Sequence, residues 1–212
     1  MKQTTQIIFD ELFTRYPALN VCKSDVLKCF ELMQETYLNG GKVLVCGNGG
    51  SAADSEHIVG ELMKNFKKCR KPDEDVINRL EDCEESQKLK KVLEGNLPAI
   101  ALTSHLSLTT AYSNDKEPSA VFAQQLLGLG ENGDTFIAIS TSGNSLNCVY
   151  ACLVAKAKGL KTVALTGKKE SRLSALSDVA VKVPEIETFK IQEYHLPVYH
   201  TLCAMLEEEN FD

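Results

Sequence analysis

Two side chains that can bind a metal or move a proton, His57 and Glu61, lie four residues apart in the sequence. On a helix this spacing places both side chains on one face, with their Cβ atoms roughly 6 Å apart. An imidazole and a carboxylate at that distance can bind one metal ion or act as an acid–base pair. The same spacing also occurs in exposed helix pairs that have no catalytic role.

A glycine-rich segment precedes this pair. The apolar run at 43–46 is followed by GNGG at 47–50, and Ser51 stands where a helix would begin. Glycine lets the backbone approach a ligand closely, and the N-terminus of a helix favours an anion such as phosphate. The spacing matches neither GxGxxG nor a P-loop, which disfavours a dinucleotide. The alternative is a tight strand-to-helix turn without a ligand.

A second hydroxyl-rich segment, IAISTSGNS at 137–145, also follows an apolar run. Hydroxyl groups and the first N–H groups of a helix can bind phosphate without a lysine. Taken alone, such a segment is more typical of an N-capping loop than of a phosphate site. Ligands of open α/β sheets bind at the carboxyl ends of strands, so two such segments together predict a phosphate site.

Four segments together resemble the SIS-domain phosphoheptose isomerases: GNGGSAAD at 47–54 with the histidine and glutamate after it, TTAYSND at 109–115, ISTSGNS at 139–145 and IQEYHLPVYH at 191–200. The resemblance extends over about residues 5–209. Members of this family interconvert sedoheptulose 7-phosphate and D-glycero-D-manno-heptose 7-phosphate and supply heptose for surface polysaccharides. They are commonly zinc-dependent homotetramers whose active sites are shared between subunits.

The resemblance also implies roles for individual residues. It makes Glu61 and His200 the catalytic base and acid, with one Zn²⁺ per subunit. The implied metal ligands are His57, Glu61, Gln192 and His200. The implied substrate-binding residues are Asn48, Gly49, Gly50, Ser51, Asp54, Asp115, Ser140, Thr141, Ser142, Ser145 and Gln192.

The chemistry of an aldose–ketose isomerase also explains, independently of the resemblance, why an active site would need residues of these types. A proton moves between adjacent carbons through an enediol, which requires a base, an acid at the oxygen and a group that stabilises the oxyanion. Glu61 and His200 can supply the base and the acid, and zinc can polarise the carbonyl. A conflict remains, because a carboxylate bound to a metal is a weaker base.

The spacing of Gln192 and His200 raises a second difficulty. Eight residues correspond to about 12 Å along a straight helix, which is too far for both side chains to reach one ion easily. Either the helix deforms at Pro197, or two subunits complete the site. His195, three residues after Gln192, is the rival for any role given to His200.

Alternating apolar segments predict an α/β fold with five parallel strands, covered by helices on both faces in a three-layer SIS-type sandwich. The predicted strands are 42–46, 97–103, 135–140, 161–166 and 179–183. The predicted helices are 3–16, 23–38, 51–69, 118–129, 145–158 and 188–209. We expect a single SIS domain over 1–212, with N-terminal helices within 1–40 and a charged insertion at 63–95.

The charged insertion and one neighbouring residue depart from the family pattern. The insertion is either a solvated helical excursion or a lid or subunit-interface element whose cations help to steer an anionic substrate. The family often has aspartate where this chain has His105. We interpret His105 either as an extra polar contact to the sugar or as a surface residue at a strand end. The steering cations of the lid would be Lys64, Lys67, Lys68 and Arg70.

Composition limits the partners. The 212-residue chain has a net charge of −6, which argues against nucleic-acid binding. No apolar run reaches the ~18 residues of a membrane span, and the N-terminus lacks a signal-peptide pattern, so we expect no membrane partner and a cytoplasmic location. The eight cysteines have no CxxC or zinc-finger spacing and are interpreted as reduced packing thiols.

Two other functions stay open. A non-catalytic SIS protein that binds a sugar phosphate, or the bacterial replication initiator, would share the phosphate loops. An isomerase of a different phosphosugar would share the acid–base pair as well. Turnover of added substrate tests the first alternative, and a panel of phosphosugars tests the second.

Overall fold

The computed structural model describes residues 1–212 and contains one five-stranded sheet. All neighbouring strands are parallel, in the order β2-β1-β3-β4-β5. β1 and β3 are buried along their whole length, as expected for central strands of aliphatic residues covered on both faces. The strands are β1 Val43–Gly47, β2 Ala99–Ala101, β3 Thr135–Ile139, β4 Lys161–Thr166 and β5 Val179–Lys182.

Ten α-helices surround this sheet. They are α1 Gln3–Arg15, α2 Lys23–Leu38, α3 Gly50–Met63, α4 Glu74–Asn78, α5 Glu84–Val92, α6 Leu106–Asp115, α7 Val121–Leu129, α8 Leu146–Ala157, α9 Arg172–Leu176 and α10 Thr188–Asn210. Short 3-10 helices cover Pro17–Cys22 and Pro118–Ala120. No helix combines the length and the apolar character that a membrane span requires.

Successive residues of β1 belong to different hydrophobic cores, because side chains alternate across a strand. Val43 and Val45 belong to the larger core, which also contains residues of α1, α2, α3 and α10. Leu44 and Cys46 belong to the second core, which contains residues of α7, α8 and α9. The predicted three-layer sandwich with two leading helices is therefore confirmed.

The strand order reverses between β1 and β3. β1 pairs with β2 on one side and with β3 on the other, and Gly47 lies opposite Ile139 at their carboxyl ends. The loops that follow these two strands therefore lie side by side. Such a reversal is where ligands bind in open α/β sheets.

Several predicted boundaries were wrong. The helix predicted over 51–69 ends at Met63, and the strand predicted over 97–103 is reduced to Ala99–Ala101. α6 was not predicted because it has no buried residue and hence no core-facing apolar stripe. The five-residue α9 was missed because its main signal is a capping box at Ser171.

The segment 63–95 contains the short helices α4 and α5, and most of its residues are exposed. Its two ends meet. The Gly95 N–H donates to the Arg70 carbonyl at 2.9 Å, and the Asn65 amide donates to the Glu94 carboxylate at 2.7 Å. The segment therefore forms a closed excursion from the body of the molecule.

Candidate active site

The loop after β1 requires glycine at two positions. A Cβ on Gly47 would lie 2.4 Å from the Ser51 carbonyl oxygen, and Gly49 has a φ of 56°. The chain thereby turns sharply from β1 into α3, which begins at Gly50. Ser51 is buried in the first turn of that helix. The N–H groups of residues 51–53 donate to the carbonyls of Asn48 and Gly49, and the positive end of the helix dipole faces the loop, which favours an anion there.

The loop after β3 brings its hydroxyl groups together. Ser140 Oγ lies 3.0 Å from Ser145 Oγ, and Ser142 Oγ accepts from the Asn144 N–H at 3.2 Å. Gly143 turns the chain with a φ of 64°, and a Cβ there would collide with Ser171 Oγ. Ser142 is exposed at the loop surface, where a ligand can reach its hydroxyl.

An amide pair ties the two loops together. Asn48 donates to Asn147 Oδ1 at 3.0 Å, and Asn147 donates back to Asn48 Oδ1 at 2.8 Å. The carbonyl of Thr141 accepts from the Gly167 N–H at 3.1 Å, which connects the second loop to the end of β4. The predicted phosphate residues thus share one edge of the sheet.

The proposed acid–base pair converges on His57. Its Nε2 lies 3.2 Å from Glu61 Oε1 on the same helix and 3.4 Å from His200 Nε2 on α10. The ligand atoms of the three residues all lie within 4.8 Å of one another. Helical spacing explains the first contact, and the packing of α3 against α10 creates the second.

The donor set of this cluster fits a transition metal. Two imidazole nitrogens and a carboxylate oxygen form a set typical of zinc, with positions open for further ligands. In addition, Nδ1 of His57 lies 3.0 Å from the Tyr199 hydroxyl, so Nε2 is the nitrogen that faces Glu61 and His200. The cluster therefore has the composition and convergence that a metal site requires.

Burial shifts the ionisation of the surrounding groups. Burial and the nearby His57 charge lower the pKa of His200, and Glu61 partly opposes them. Burial raises the pKa of Asp54, while the hydrogen bond from Tyr199 and the His57 charge oppose that shift. Burial lowers the pKa of His195 to about 4, and its hydrogen bond with the Thr166 carbonyl partly opposes that shift. His195 is fully buried against the Thr166 carbonyl, which separates it from the His57 cluster.

Other predicted site residues lie apart from the His57 cluster. A Cβ on Gly50 would lie 2.6 Å from Gln192 Nε2, so this glutamine lies beside the phosphate loop. Asp115 is exposed at the end of α6, where its carboxylate accepts from Asn114. His105 precedes α6 and contacts Gln125 at 2.6 Å.

A buried ion pair supports the end of α3. Arg70 donates through Nε to Glu207 at 2.7 Å and through its other nitrogens to the carbonyls of Leu62 at 2.6 Å and Glu61 at 2.8 Å. Glu207 also accepts from the N–H groups of residues 66–68. Arg70 is 1% exposed. The alternative in which Arg70 helps to steer the substrate is therefore wrong for this residue, because its charge is buried and paired with Glu207.

Two residues that support the site were not found from the sequence: Tyr199, which contacts His57, and Glu207, which binds Arg70. Tyr199 was passed over because it resembles a core residue of α10, although it stands next to His200 in the matched motif. Glu207 lies in a run of three glutamates that suggests a solvated helix end. The signal for Glu207 is its position one turn after the buried Cys203, on the apolar face of α10.

Comparison with known proteins agrees with the fold and the loops. The family model of the SIS domain matches residues 21–94 and 89–167. The phosphoheptose isomerase of Thermodesulfovibrio yellowstonii is 39% identical over 182 residues, which cover 86% of this chain and 79% of that protein.

Two solved structures extend the agreement to three dimensions. The phosphoheptose isomerase of Neisseria gonorrhoeae has 31% identity and a TM-score of 0.74, covering 94% of this chain and 95% of that chain. That of Francisella tularensis has 29% identity and a TM-score of 0.76, covering 98% and 100% respectively. The resemblance found in the sequence is thereby confirmed, and the chain belongs to the SIS-domain family of phosphoheptose isomerases.

Proposed function

We propose that this chain is an aldose–ketose isomerase that converts sedoheptulose 7-phosphate to D-glycero-D-manno-heptose 7-phosphate, for heptose and surface polysaccharide synthesis. The observation that carries the proposal is the convergence of His57 and Glu61 with His200. The first two lie on α3, which starts at the phosphate loop, and His200 lies on α10. Family membership supplies the substrate, and the site supplies residues for the reaction.

The length of α3 suits this substrate. Seven residues separate Gly50 from His57, which corresponds to about 10 Å along the helix. An open-chain seven-carbon sugar spans a comparable distance between its phosphate and the reacting carbons C1 and C2. We therefore place the phosphate at the serine loops, with Gln192 beside it, and the reacting carbons at Glu61 and His200.

Glu61 acts as the base in this proposal. It removes a proton from C1 of the ketose and returns it to C2 of the enediol, while His200 exchanges protons with the two oxygens. The two oxygens of Glu61 have different neighbours, since Oε1 faces His57 and Oε2 lies 3.4 Å from Lys64 Nζ. This division supports a dual role in which one oxygen binds the metal and the other accepts the proton.

We further propose that His57, Glu61 and His200 hold one zinc ion per subunit. Gln192 lies beside Gly50 and can join them only through deformation of α10 at Pro197 or as a ligand supplied by a second subunit. Bound zinc supplies a Lewis acid that polarises the substrate carbonyl. We also propose a homotetramer with shared sites, which the exposed positions of α6 and Asp115 support. A neighbouring subunit would then bring Asp115 to the sugar.

Two further proposals concern the domain organisation and the cellular location of the chain. We propose one SIS domain over 1–212, in which 63–95 is the insertion, because its ends close on each other at Arg70 and Gly95. We also propose a cytoplasmic location, since all eight cysteines are free and six of them are buried. Thiols in this state are typical of a reducing compartment.

The test is turnover of sedoheptulose 7-phosphate by zinc-loaded protein, followed by NMR. Glu61→Gln and His200→Asn should each lower kcat at least 100-fold, because each removes a proton-transfer group. Glu56→Gln, an exposed residue on the same helix, should retain wild-type turnover and serves as the matched control. Wild-type turnover of another phosphosugar alone would refute the substrate, and no turnover by folded protein would refute the enzyme.

A further inference from the structure

A buried tyrosine lies directly behind His57. Tyr199 is 1% exposed and precedes His200 on α10. Its hydroxyl oxygen lies 3.0 Å from His57 Nδ1 and 3.2 Å from Asp54 Oδ1. A hydroxyl has one hydrogen to donate, so it cannot donate to both neighbours at once. In one of the two contacts the tyrosine oxygen must therefore be the acceptor.

The carboxylate of Asp54 determines the direction of these hydrogen bonds. An ionised carboxylate only accepts, and a hydrogen bond to a charged acceptor is roughly twice as strong as one between neutral groups. Tyr199 therefore donates to Asp54. When a metal ion occupies Nε2 of His57, the ring carries its hydrogen on Nδ1, and the tyrosine oxygen can accept it at 3.0 Å. Burial and the nearby Asp54 raise the pKa of Tyr199, so its hydroxyl stays protonated.

We propose that Tyr199 is a positioning residue for His57: its hydroxyl, anchored on Asp54, accepts from Nδ1–H of the metal-bound ring and keeps Nε2 on the side of Glu61 and His200. This orientation agrees with the distances of 3.2 Å and 3.4 Å from Nε2 to those two residues. Histidines that bind metals are generally oriented by a hydrogen bond from their second ring nitrogen. The inference rests on the proposed function, because it concerns the same site.

The arrangement also gives Asp54 a role other than the sugar contact expected from the family resemblance. Asp54 lies on α3 one turn before His57, so both follow the same helix face. Tyr199 reaches them from α10. The pair Asp54–Tyr199 thus fixes the rotation of the His57 ring from two helices, which a single neighbouring residue on α3 could not do.

Tyr199→Phe tests the proposal because it removes only the hydroxyl group. Tyr194→Phe is the matched control, since Tyr194 lies on the same helix and packs against the same core. The first measurement is ¹H–¹⁵N NMR of the His57 ring in zinc-loaded protein, which reports the hydrogen on Nδ1 and its exchange with water, with His57→Asn to identify the signals. The second is zinc affinity, measured by competition with a chelator.

We expect a slowly exchanging hydrogen on Nδ1 in the wild type and in Tyr194→Phe, and at least 10-fold faster exchange in Tyr199→Phe. Zinc affinity should fall about 10- to 100-fold in Tyr199→Phe only, which is the usual effect of losing such a partner. Metal on Nδ1 and hydrogen on Nε2 in the wild type would overturn the proposal, as would unchanged exchange and affinity in Tyr199→Phe. A wild type that lacks turnover but has the expected Nδ1 hydrogen would refute the proposed function and leave the role of Tyr199 standing.

Discussion

Replacing Arg70 by methionine should destabilise the protein strongly and also lower turnover. Arg70 and Glu207 are each 1% exposed, so the change leaves a carboxylate buried without its cation. Breaking a buried pair from one side costs about 3–5 kcal/mol. For a chain of this size that corresponds to a fall in Tm of about 6–20 °C. Turnover should fall as well, because Arg70 holds the carbonyl of Glu61.

The assay is urea unfolding at one fixed protein concentration, since association shifts apparent stability. Arg70→Lys should lie between wild type and Arg70→Met, because a single ammonium cannot replace the three-way contacts of the guanidinium. Arg79→Met, at an exposed position in the same segment, should change stability by less than about 0.5 kcal/mol. A loss below about 1 kcal/mol in Arg70→Met would show that the pair does not hold this end of α3.

Three further predictions concern other parts of the site. Gly143→Ala should raise the KM for the sugar phosphate at least 10-fold, because its φ of 64° and the Ser171 side chain exclude a Cβ; steady-state kinetics will check this. Gly50→Ala should raise KM by the same factor as Gln192→Ala and leave stability nearly unchanged, because the added methyl group displaces only the end of the Gln192 side chain. A different KM in the two variants would refute this. His195 has a folded pKa of about 4, below its unfolded value, so it binds more protons when unfolded, and stability should fall by roughly 3 kcal/mol as pH drops from about 6.5 to 4. His195→Gln should flatten this part of the curve of unfolding free energy against pH, and an unchanged slope would contradict the assignment.

The central sheet could be predicted because its strands are short apolar runs that end at turn residues. The same reasoning failed for α6, since this helix buries nothing and its sequence has no apolar stripe. It also extended α3 beyond Met63, because the following lysines are good helix formers. There the backbone N–H groups of residues 66–68 bond to the carboxylate of Glu207 instead, a tertiary contact that overrides local propensity.

Within the site, local spacing predicted the pair on α3 but not the contacts between elements. His57 and Glu61 could be found because four residues make one helical turn. The contact between His57 and Tyr199 joins residues 142 positions apart, so no local pattern reveals it. Spacing did indicate that Gln192 and His200 lie far apart along α10, and the structure has Gln192 beside Gly50.

The closed base of the segment 63–95 has a consequence for how this chain can vary in length. Because the Gly95 N–H meets the Arg70 carbonyl and Asn65 meets Glu94, residues 71–93 leave and re-enter the body at nearly one point. Growth, shortening or exchange of that stretch changes the outline of the molecule without altering the register of α3 or β2. It is thus a natural place to graft a tag or a recognition peptide while the catalytic machinery stays intact.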